Sequence, residues 1–151
     1  REKEMFQQGY SLFLPARLAA KGVPTDQIKL VDLGYRPYST LFTTQKMIDE
    51  NPELVQEVVD RLRAAFVKSL NNPDPTADLI LSKSKKVTRD IHMNAIELMK
   101  AEFLPKDYSK LGCMKSERWD ELAGQLKQVD MVPADFDPSA SYNLSFMGNC
   151  E

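Results

Sequence analysis

The pattern of apolar and polar positions changes character near Thr44. Beyond it the chain reads as a succession of capped helices. Thr44 suits the cap of a short helix running through Asp49. Asn51-Pro52-Glu53 is a strong start signal: Asn caps, Pro fits the first helical position, and Glu favours the positive end of the helix. Val55, Val58, Val59, Leu62, Phe66 and Leu70 then fall on one face, the clearest amphipathic stretch in the sequence. Val59 or Leu62 is expected to point into the core. Asn71-Asn72-Pro73 ends that helix, because a proline disfavours helix in the residue before it. Asp74-Pro75 restarts one through about Lys83. Thr88 caps another, with Ile91, Ala95, Met99 and Phe103 facing inward and Pro105 as its stop. Ser116 caps the next, with Trp119, Leu122, Ala123, Leu126 and Val129 on one stripe. At least four helices are therefore expected after Thr44.

The region before Thr44 is patterned differently. Pro15 to Lys21 predicts a short helix, with Gly22 just past its end. Ile28 to Leu33 alternates in part and predicts a short strand, and Thr40 to Thr43 predicts a second. Gly34-Tyr35-Arg36-Pro37-Tyr38-Ser39 lies between them as an irregular connection. The tail from Pro133 is rich in turn residues, and neither an internal repeat nor a low-complexity segment is visible.

Composition narrows the picture a little. The chain has 151 residues, 42% hydrophobic and 28% charged, with a net charge of −2, values ordinary for one globular domain. That balance gives no electrostatic reason to expect nucleic acid or an anionic membrane as partner. No apolar run approaches the ~20 residues that cross a bilayer. The sequence begins at Arg1, as a mature or excised piece would, so the lack of a visible leader does not argue for the cytoplasm. Cys113 and Cys150 match no zinc spacing. They are either a disulfide formed in an oxidising compartment or two separate thiols.

Several stretches together resemble the periplasmic substrate-binding proteins related to thiamine-pyrimidine synthase, a family that includes binders of aliphatic sulfonates, taurine and pyrimidine precursors. The stretches are Leu33-Gly34-Tyr35-Arg36-Pro37-Tyr38-Ser39-Thr40-Leu41-Phe42-Thr43-Thr44 and Asn51-Pro52-Glu53-Leu54-Val55. Further on come Gly112-Cys113-Met114, Arg118-Trp119, and Asp135-Phe136-Asp137-Pro138-Ser139 with Tyr142. The resemblance covers roughly Asp32 to Met147. It implies an α/β class: the C-terminal, mostly helical part of the two-lobed type 2 periplasmic-binding-protein fold, with few short strands before residue 44. Residues 1–33 would be a helix–strand segment of the second lobe, 34–44 the hinge or crossover strand, and 45–151 the helical C-terminal part of the first lobe. Two alignments of the first 31 residues stay open.

The resemblance places the candidate site at the hinge. Tyr35, Arg36, Tyr38, Ser39 and Thr40 offer rings, a guanidinium and hydroxyls, the groups a small polar ligand needs. Arg36 suits an anion through a forked hydrogen bond. The bland alternative is a turn whose tyrosines pack on the core. Trp119, on a clean helical stripe, is expected in the core, and Met93 and Met99 as gap-fillers. The run Lys83, Lys85, Lys86, Arg89 is expected to be a solvated face. His92, the single histidine, has no recognisable nucleophile beside it. Asp135 and Asp137 fall short of a calcium loop and suit turns better.

The function that follows is the solute-binding component of an ABC importer, not an enzyme, periplasmic or otherwise extracytoplasmic. It would capture a small organic solute and deliver it to a membrane permease, without metal or cofactor, and as a monomer when whole. Two alternatives remain. One is a pyrimidine-synthesis enzyme of the related fold, whose cysteine-rich motif is not found in this sequence. The other is a helical protein-interaction module, which an exposed apolar patch would favour.

Overall fold

The computed structural model describes residues 6–36, 39–148 and 150. Its helices are α1 (Leu14–Ala19), α2 (Gln45–Glu50), α3 (Pro52–Asn71), α4 (Asp74–Lys83), α5 (Arg89–Glu102) and α6 (Ser116–Gln128). Short three-ten turns lie at Leu30–Leu33, Tyr108–Lys110 and Pro138–Ser141. Among the described residues there is no strand. The α/β expectation is therefore corrected: the class is all-helical.

The two strand expectations fail for one physical reason. A β-prone segment becomes a strand only when a neighbouring backbone pairs with it. Leu30–Leu33 instead winds into a three-ten turn, closed by Gly34 N–H to the Val31 carbonyl (3.1 Å) and Tyr35 N–H to the Leu30 carbonyl (3.0 Å). Gly34 has φ of 84°, a left-handed value that a side chain would resist. Residues 40–43 also lack strand structure. The crossover strand expected over 34–44 is thus absent among the described residues.

The helix starts follow local chemistry. The Thr44 hydroxyl accepts from the Met47 N–H (3.1 Å), and the Thr88 hydroxyl accepts from the Ile91 N–H (3.3 Å). Each satisfies one of the donors a first turn leaves open. Pro52 begins α3, as its fixed φ favours. At α6 the capping position falls on Lys115, whose side chain makes no cap, and Ser116 is the first helical residue.

The chain divides into two compact units. The first contains residues 1–29 and 67–106. Here α5 packs against α4 and α1, around Ala77, Ala95, Ile96 and Leu70, which is 2% exposed. His92 is buried in the same unit. Lys29 and Glu102 form an ion pair at 2.7 Å. Arg89 pairs with Asp74 at 2.7 Å and also with Asp78, tying the start of α5 to α4.

The second unit contains residues 30–66 and 107–151. In it α6 packs against the Pro138–Ser141 turn, and Ala123 and Met147 are buried. The inward face of α3 here is Val55, Gln56, Val59 and Arg63, all half-buried. Leu62, expected as an alternative inward residue, is 44% exposed. Arg63 takes the inward position because its guanidinium serves two backbone carbonyls, and Leu62 then sits about 100° around the helix. Leu54, Val58, Leu62 and Phe66 form an exposed stripe at four-residue spacing.

Two more expected core positions are exposed, again for a local reason. Phe103 and Val129 are the residues just past α5 and α6, where the chain leaves the helical path. After α6 the backbone turns back through Asp130, at φ 56°, with Met131 N–H bonded to the Leu126 carbonyl (2.9 Å). Val129 therefore leaves the stripe that Trp119, Leu122, Ala123 and Leu126 maintain.

Candidate functional site

Two side chains of α6 hold the Gly34–Arg36 segment in the second unit. Gln125 Nε2 donates to the Gly34 carbonyl (2.9 Å), and Arg118 Nη2 donates to the Arg36 carbonyl (2.6 Å). The two residues are seven apart, close to two helical turns, so both lie on one face of α6. The left-handed Gly34 presents its carbonyl to that face, and the bond to Arg36 is charge-assisted.

Both of these bonds go to backbone carbonyls of the segment. They leave Tyr35 38% exposed and Arg36 exposed. Ser39 and Thr40 are exposed as well. Tyr38, the remaining candidate, lies outside the described residues, as does Pro37. The structure thus keeps Tyr35 and Arg36 on a segment fixed from α6, with Ser39 and Thr40 exposed beyond it. An open depression of about 660 Å³ lies in the first unit, lined by Pro15, Ala16, Ala19, Val23, Pro24 and neighbours without a charged group.

A second cluster, in the second unit, surrounds the C-terminal tail. Cys113 and Cys150 are joined by a disulfide, with Cα atoms 5.7 Å apart. Arg63 lies beside that link: Nε donates to the Leu111 carbonyl (3.0 Å) and Nη2 to the Met147 carbonyl (2.5 Å). Gln56 donates to the Phe146 carbonyl (3.2 Å). The Met147 thioether accepts from the Met114 N–H (3.1 Å), and its side chain is only 7% exposed. The Tyr142 ring stacks on Trp119. Trp119 is half-buried rather than fully enclosed.

Two aspartates in this region cap turns. Asp137 accepts from Ser139 N–H (2.9 Å) and the Ser139 hydroxyl (2.8 Å) and so caps the Pro138–Ser141 turn. Asp107 does the same for Tyr108–Lys110 through Ser109 N–H (2.9 Å). These bonds favour the ionised carboxylates. The side-chain and then the backbone bond from Ser109 hold Asp107 below its ordinary pKa. The backbone and then the side-chain bond from Ser139 do so for Asp137. Lys83, Lys85 and Lys86 are exposed. Among the described residues, no group of three or more histidine, cysteine or acidic side chains is placed to hold a metal ion. Among them too, no helix is long and apolar enough to cross a membrane.

Sequence reasoning missed Arg63, Gln125 and Met147. The seven-residue spacing from Arg118 to Gln125 is visible in the sequence, but a polar residue inside an apolar stripe, as Arg63 is, reveals its role only when its acceptors are known. Compared with known proteins, the chain matches no family model, no curated protein and no solved structure.

Proposed function

We propose that this chain is the C-terminal helical portion of a solute-binding component that captures a small organic anion or pyrimidine precursor for a membrane importer. The observation that supports this reading most is the anchoring of Gly34 and Arg36 by Gln125 and Arg118. Two stretches that carry the family resemblance, 82 positions apart, meet through a hydrogen bond from Arg118 to the Arg36 carbonyl. The segment is held by its carbonyls, so its ring and guanidinium remain available to a ligand. The disulfide agrees with an extracytoplasmic setting, where such bonds persist.

Isothermal calorimetry with a short aliphatic sulfonate and with an aminopyrimidine tests the reading. The whole binding protein, of which this chain forms the end under the proposal, is expected to bind one of them. This chain alone is expected to bind weakly or not at all, because deep sites bury ~70–90% of a small ligand's surface. Tyr38→Ala and Arg36→Ala in the whole protein should weaken binding. Tight binding by this chain alone, or unchanged affinity in both variants, would overturn the assignment.

A second reading, a helical protein-interaction module, is favoured by the exposed stripe Leu54, Val58, Leu62 and Phe66. Exposed apolar side chains aligned in this way favour a protein partner. Leu62→Asp should abolish a partner's binding under this reading and leave solute binding intact under the first.

A further inference from the structure

We propose that the tail segment Tyr142–Gly148, with Cys150, is a redox-gated strap that closes over α3 and α6 only while the Cys113–Cys150 disulfide is intact. The proposal does not depend on the solute-binding reading.

The strap is held at three places within the second unit. Tyr142 lies on the Trp119 ring of α6. Gln56 and Arg63 of α3 donate to the carbonyls of Phe146 and Met147. Met147 is buried, and its thioether accepts from Met114 N–H. The same Arg63 guanidinium also holds the Leu111 carbonyl, two residues before Cys113. One side chain therefore bridges, without a covalent bond, the two segments that the disulfide joins.

The disulfide is the deciding element on physical grounds. Net gains from individual hydrogen bonds are modest, and each ordered tail residue opposes closure through lost conformational freedom. The strap has few apolar anchors: Met147 is buried, Phe146 is half-buried and Leu144 is exposed. The covalent link spans 37 positions and makes the strap's return to α3 a local event instead of a search by a free tail. When a dithiol supplies two electrons and two protons, the S–S bond breaks, Cys113 and Cys150 become thiols, and the dithiol becomes its own disulfide. The strap then leaves. Trp119 loses its stacked ring, and Gln56 and the Arg63 Nη2 lose their carbonyl acceptors.

The test uses the full 151-residue chain, oxidised or treated with dithiothreitol, and the Cys113→Ser/Cys150→Ser double variant. Trp119 is the only tryptophan, so emission reports the stacked site directly. Reduction is expected to shift emission to longer wavelength. It should also speed amide exchange over residues 142–148 by about tenfold or more while leaving α5 protected, as a local opening does. Reoxidation should reverse both, and the double variant should match the reduced chain. Arg63→Gln, oxidised, should retain the closed emission. Unchanged emission and protection after reduction would overturn the proposal. So would loss of protection throughout the chain, which would make the disulfide a global staple, or an open strap in oxidised Arg63→Gln, which would make the guanidinium the gate.

Discussion

The rings of Trp119 and Tyr142 lie stacked, with centroids 5.3 Å apart and planes inclined by 17°. They sit 23 positions apart, on α6 and just beyond the Pro138–Ser141 turn. Because α6 packs on that turn, the pair joins the C-terminal tail to the helix that also holds Gly34 and Arg36.

Replacing Tyr142 with Ala removes one ring of the pair. Aromatic pairs contribute ~0.5–1.5 kcal/mol beyond the area they bury, and a loss of at least that size is expected in chemical denaturation. Leu at the same position should recover the burial but not the pair interaction. Equal stability of the Ala and Leu variants with the parent would show that the stack contributes nothing.

Leu70 and Leu62 lie on the same helix, eight residues apart, and should respond very unequally to truncation. Leu70 is 2% exposed, and Leu70→Ala is expected to cost ~2–5 kcal/mol as a buried cavity opens. Leu62 is nearly half exposed, and Leu62→Ala should cost less than ~1 kcal/mol. Urea midpoints of the two variants measure the contrast. A large loss at Leu62 would mean that the exposed stripe of α3 is covered in solution.

Acid should loosen the two turns capped by aspartate before it melts the helices. Asp107 and Asp137 have folded pKa values below their ordinary ones, because Ser109 and Ser139 donate to the ionised carboxylates. A lowered folded value gives stability that is present above the unfolded pKa, about 3.9 for Asp, and is lost as pH falls through the folded value. Both carboxylates face solvent, so the effect is local. Amide exchange at Ser109 and Ser139, corrected for intrinsic rates, should therefore rise as the pH drops below about 4. In Asp107→Asn and Asp137→Asn that pH dependence should disappear. Flat exchange in the parent would refute the capping role.

The starts of the helices were legible because they depend on residues close in sequence. Thr44, Pro52, Thr88 and the stop at Pro73 work through hydrogen bonds and fixed φ angles within one turn. The four-residue rhythm of α3 was equally legible as an amphipathic pattern. Its covered side was not: an apolar arc spanning Leu54 to Leu70 offers several faces, and Arg63 chose among them by reaching the carbonyls of Leu111 and Met147. Strand structure also lay beyond the sequence, since Leu30–Leu33 and residues 40–43 have the composition of strands but pair with no neighbour among the described residues. The candidate segment divided in the same way. Its glycine, rings and guanidinium were read directly, whereas its anchoring came from Arg118 and Gln125 on a helix more than 80 positions away. Caps and prolines act locally, so Thr44, Pro52 and Thr88 marked helix starts correctly, while at Ser116, Phe103 and Val129 the boundary fell one position away from the expected one. Which faces are covered and which segments meet depended on the folded chain, because those contacts join residues that are neighbours in space alone.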